Sequence, residues 1–79
     1  MGKASNIVHQ YFKKQLEDIT VLVKVNPLNF LVTEITLYKG RDPEVREIEA
    51  DADIIEDLSS EGFTEASPLE FNLYLSGLA

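Results

Sequence analysis

Asp51, Asp53, Glu56 and Asp57 place four carboxylates in one seven-residue stretch. Carboxylates this close can bind a divalent cation, stabilise a helix start, or attract a basic partner. The spacing Asp51-x-Asp53 opens like a calcium loop. Such a loop needs a third oxygen ligand two positions on and a glycine after it. Ile55 and Glu56 stand there instead, so a metal site is not expected. Acids in a first helical turn each contribute about 0.3–1 kcal/mol by offsetting the partial positive charge there. An unbalanced acidic field also steers a basic partner and speeds its association.

The other chemistry-bearing residues are sparse. His9 is the only histidine, and there is no cysteine. A histidine-pair metal site and all thiol chemistry are therefore excluded within one chain. The glycines at 2, 40, 62 and 77 are scattered and form no phosphate-cradling loop. Carboxylate pairs for acid–base catalysis are numerous, but no pattern marks one as buried or shifted. The expectation is a non-enzymatic protein with no cofactor.

The acidic stretch belongs to a wider asymmetry. Residues 1–40 carry five lysines against three acids, net +2; residues 41–79 carry two arginines against eleven acids, net −9. Direct nucleic-acid binding would need more positive charge and no competing acidic half. With 79 residues and 44% hydrophobic content, the chain supports one domain, residues 1–79, rather than a disordered tail. No apolar run approaches the ~18 residues of a membrane span, and Lys3 leads into an amphipathic segment rather than a signal peptide. Together with the lack of cysteine, these features predict a soluble, cytoplasmic protein that does not bind membranes.

The elements that would position these residues follow from periodicity. Ser5 caps a predicted helix running to about Leu16 or Glu17, with Ile7, Val8, Tyr11, Phe12 and Leu16 on one side. Ile19–Val25 alternates and is β-branched, which predicts a strand with Ile19, Val21, Val23 and Val25 on one face. Asn26-Pro27-Leu28-Asn29 reads as a turn. A strand from about Phe30 to Tyr38 follows, with Leu31, Thr33, Ile35 and Leu37 on one face and Phe30, Val32, Glu34, Thr36 and Tyr38 on the other. After the loop from Lys39 to Pro43, residues 44–50 alternate again, polar enough for an edge strand. Asp53 and Glu56 fit a capping box opening a short helix, and Gly62 fits its left-handed C-terminal position with Phe63 folding back toward Leu58. Leu69, Phe71, Leu73 and Leu75 alternate after Ala66-Ser67-Pro68 and predict a last strand.

The resulting expectation is an α+β two-layer sandwich in the order α-β-β-β-α-β, its four-stranded, mainly antiparallel sheet covered on one face by both helices. The other sheet face then stays open and partly apolar. Val32 and Tyr38 are its candidate partner-binding residues, and a homodimer is one assembly it would support. The leading functional expectation is a protein-interaction module that meets an unidentified protein through Asp51, Asp53, Glu56 and Asp57 or through that face. Two alternatives use the same features. One is an inhibitor, of the kind phages encode, whose carboxylates mimic a nucleic-acid backbone. The other is a subunit that self-assembles head to tail through its basic and acidic halves.

Overall fold

A computed structural model describes residues 8–76. Its elements are β1 (Gln10–Gln15), β2 (Ile19–Val25), β3 (Leu31–Tyr38), β4 (Glu44–Glu49), α1 (Ile54–Ser60), β5 (Thr64–Glu65) and α2 (Pro68–Leu75). The five strands form one antiparallel sheet in the order β4-β3-β2-β1-β5. The α+β class and the antiparallel sheet are as expected; the strand count, the element order and the layering are not.

The central strands follow directly from their residues. Val23 and Val25 of β2 pack with Phe12, Val32 and Leu58, and Val21 joins this cluster. Leu22 points the other way and packs with Ile35 and Phe71. Leu58 belongs to α1 and Phe71 to α2, so one helix lies on each sheet face. The expected two-layer sandwich is therefore three layers deep. Neither face is left open as a whole, and Val32 is buried beneath α1 rather than displayed.

Two elements exchange type. Residues 10–15 form a strand instead of the predicted helix, paired with β2 from Gln10↔Val25 to Gln15↔Thr20. Tyr11 and Phe12 are adjacent, and a strand sends them to opposite faces, one toward each helix. The proposed cap at Ser5 lies outside the described residues. At the other end, residues 68–75 form a helix instead of a strand. Ser67 Oγ accepts the Glu70 amide at 3.1 Å, and Pro68 occupies the first helical turn, where its missing N–H costs nothing. Phe71 and Tyr74, three residues apart, then turn inward together, while Leu69 and Leu73 remain exposed. Phe71 meets Tyr11 with ring centroids 5.4 Å apart and tilted by 58°.

The turns largely follow their residues. Asn26 Oδ1 accepts the Leu28 amide and Asn29 Oδ1 the Leu31 amide, each at 2.9 Å. They close the β2–β3 loop around Phe30, whose φ of 58° is left-handed and unusual for an aromatic residue. Gly62, at φ 94°, ends α1 as expected, with Phe63 N–H donating to the Leu58 carbonyl at 3.0 Å. The predicted capping box at Asp53 does not form: its side chain caps nothing, and Asp51 Oδ1 accepts the Asp53 amide at 3.0 Å instead.

Candidate partner-binding surface

β4 is the outer strand of the sheet, and all six of its residues are exposed. It contributes Glu44, Glu47 and Glu49, and the chain then continues through Asp51 and Asp53 into α1. Asp51, Asp53, Glu56 and Asp57 are all exposed, so the four predicted carboxylates join the acids of β4 in an exposed stretch along the sheet edge, with Glu44 on the α1 side and Glu47 and Glu49 on the α2 side. They do not converge on a point. Among the described residues, no group of three or more His, Asp or Glu side chains is arranged to hold a metal ion.

The electrostatics of this surface depend on where the two nearby arginines go. Arg46 pairs with Glu34 of β3 at 3.2 Å. Arg41 lies over the Tyr38 ring, 4.6 Å from its centroid, a cation–π contact. The Tyr38 hydroxyl donates to Glu44 Oε1 at 2.9 Å. That hydrogen bond, followed by desolvation, holds the Tyr38 phenol above its ordinary range. The second ion pair among the described residues is Lys13–Glu70 at 2.7 Å, on the α2 face of the sheet. Glu47, Glu49, Asp51, Asp53, Glu56 and Asp57 take part in neither pair.

The two predicted sheet-face residues are not brought to this surface in the same way. Tyr38 is half-buried and stands at its upper end through Glu44. Val32 is only 4% exposed, so it supports the surface from the core and offers a partner nothing. Val45, Glu47 and Glu49 read from the sequence as one face of an edge strand and were not among the candidate binding residues. Their alternation with Arg46 and Ile48 marks an edge strand, but the role of an edge depends on the strand order.

That role is set by the backbone. Ala50 N–H donates to the Phe30 carbonyl at 3.1 Å, so Ala50 faces β3. Backbone groups alternate in direction along an antiparallel strand. Ile48, Arg46 and Glu44 therefore bond to β3, opposite Val32, Glu34 and Thr36. The amides and carbonyls of Val45, Glu47 and Glu49 point away from the sheet. The opposite edge is different, since β5 covers β1 with only two residues.

His9, just before β1, is held below its usual pKa mainly by partial burial and secondarily by Lys24. It lies beside none of the carboxylates described above. No helix among the described residues is long and apolar enough to cross a membrane. No family model, no curated protein and no solved structure matches the chain. A functional reading therefore rests on the residues and their arrangement.

Proposed function

We propose that this protein is a non-enzymatic interaction module whose docking face is the acidic surface of β4 and the start of α1, and that its partner is a basic protein. The observation that carries this reading is the unneutralised charge. Arg46 is paired with Glu34 and Arg41 lies over the Tyr38 ring, and among the described residues six exposed acids take part in no ion pair. Acids placed only to support the helix would be needed in its first turn alone. Here the run begins on β4, well before α1.

The test is affinity capture from host lysate with the native chain and with a neutralised variant, D51N/D53N/E56Q/D57N combined with E47Q/E49Q. These exposed positions should tolerate the changes without loss of fold. The expected result is a basic partner that elutes at moderate salt and is missing from the variant's eluate. A partner retained equally by the variant would sink the reading. If the captured partner is a nucleic-acid-binding protein and added DNA or RNA displaces it, the basic partner is one that this chain inhibits by mimicry.

A further inference from the structure

We propose that β4 accepts an extended, basic segment of the partner as a sixth strand, antiparallel to Glu44–Glu49. This inference rests on the docking face proposed above and specifies how that face is used. Val45, Glu47 and Glu49 present three amides and three carbonyls in register along an exposed edge, an arrangement that an added strand satisfies through main-chain bonds. The side chains of these same three residues lie on the α2 side of the sheet, whereas Glu44, Arg46 and Ile48 lie on the α1 side.

This pattern defines the occupant. Directly opposed cross-strand pairs favour opposite charges or matched apolar groups. A complementary strand therefore carries Lys or Arg opposite Glu49, Glu47 and Glu44, and apolar residues opposite Ile48 and Val45. Arg46 is already paired with Glu34 and needs only a neutral polar neighbour. Read from its own N-terminus, the partner segment is basic, apolar, basic, polar, apolar, basic.

A second copy of this chain fits less well. Two-fold antiparallel pairing keeps each sheet face continuous, so a register centred on Arg46 or on Glu47 sets that residue against itself. In any register, a strand with three Glu and one Arg meets another of the same net charge. Like charges directly opposite are destabilising.

The probe is the capped peptide Lys-Val-Lys-Thr-Val-Lys, titrated into the native protein at low salt and followed by amide NMR and hydrogen exchange. The expected result is slowed exchange at Val45, Glu47 and Glu49, with Glu44, Arg46 and Ile48 little changed because β3 already protects them. Two N-methylated peptides supply the decisive comparison. Methylation of the amides opposite Glu47 and Val45 should weaken binding by about tenfold or more, since the loss of two main-chain bonds is worth that much. Methylation of the amides opposite Ile48 and Arg46, which point away, should leave affinity nearly unchanged. Val45→Pro, which removes an outward amide without altering charge or the β3 ladder, should mimic the first effect.

Equal binding of both methylated peptides would overturn strand addition and leave a charge-only docking face. No binding by any of the peptides would also overturn it, and the glutamates would then act only to keep other strands off the edge. The docking face itself is judged separately, by capture with the neutralised variant.

Discussion

At the residue scale, burial decides what a side chain can do. Val32 is 4% exposed and packs against Val25, Phe12 and Leu58. Val32→Glu would place a carboxylate in that apolar cluster, where an unpaired charge is strongly disfavoured. The expected outcome is loss of folded protein at neutral pH, seen as a collapsed urea transition. A folded variant with altered assembly would instead return Val32 to the surface. Tyr38 makes the opposite case, because its hydrogen bond to Glu44 requires the neutral phenol. Its raised pKa means that the folded state holds this proton more tightly than the unfolded chain does. The stabilisation is present below the ordinary tyrosine value of about 10 and is lost as pH rises through the folded value. Tyr38→Phe should therefore remove part of the alkaline fall in stability. Lys13, held above its usual value by its hydrogen bond to Glu70, contributes to that fall in both proteins and cancels in the comparison. Equilibrium unfolding on both sides of pH 10 measures the difference, and parallel curves would show that the Glu44 bond carries no linkage.

At the scale of elements, local signals succeeded where one signal stood alone and failed where two competed. The bounds of β2 match the expected strand, because its β-branched alternation has no rival reading. The Gly62 terminus matches too, since only a left-handed residue allows Phe63 to reach back to Leu58. In residues 67–75 a cap signature, Ser67-Pro68-x-Glu70, competed with alternating leucines. The cap prevailed because Leu69, Leu73 and Leu75 remain exposed and their spacing carried no information about the core. The misreading of residues 10–15 depends on this one. A strand with apolar neighbours at Tyr11 and Phe12 makes sense only if both sheet faces are covered, and the second cover is α2. The run of acids was legible from composition, and the polarity of residues 44–50 marked the edge strand that β4 is. The outward backbone row of β4 was not legible, since it depends on strand order. The two helix starts supply a test of these rules. Ser67→Ala removes a formed cap bond and should cost about 1 kcal/mol. Asp53→Ala removes a side chain that caps nothing and should cost at most a few tenths. Urea denaturation of both variants reads the contrast, and equal losses would mean that cap geometry does not set these helix starts.

At the scale of the whole molecule, charge works against the fold that displays it. The chain carries fourteen acids against seven basic residues, while the described residues form only two ion pairs. Both pairs are partly exposed, and such pairs are typically worth about 0–1 kcal/mol. Repulsion among the remaining acids is longer in range than either attraction. At about 0.01 M salt the screening length is roughly 30 Å. The described residues extend over 43 × 29 × 19 Å, so much of the molecule lies within that reach of the β4–α1 surface. At about 1 M salt the length falls to roughly 3 Å, which silences the acids' mutual repulsion and leaves only contacts at hydrogen-bonding distance. Thermal stability should therefore rise as sodium chloride is added, and the neutralised variant described above should gain less because its repulsion is already removed. Its midpoint at low salt should lie above that of the native chain. A native midpoint that falls with salt would show that attractive pairs dominate, and the acidic surface would then stabilise the fold by itself. A rise would mean that the surface is kept at a cost to stability, a cost that binding a basic strand would recover by neutralising it.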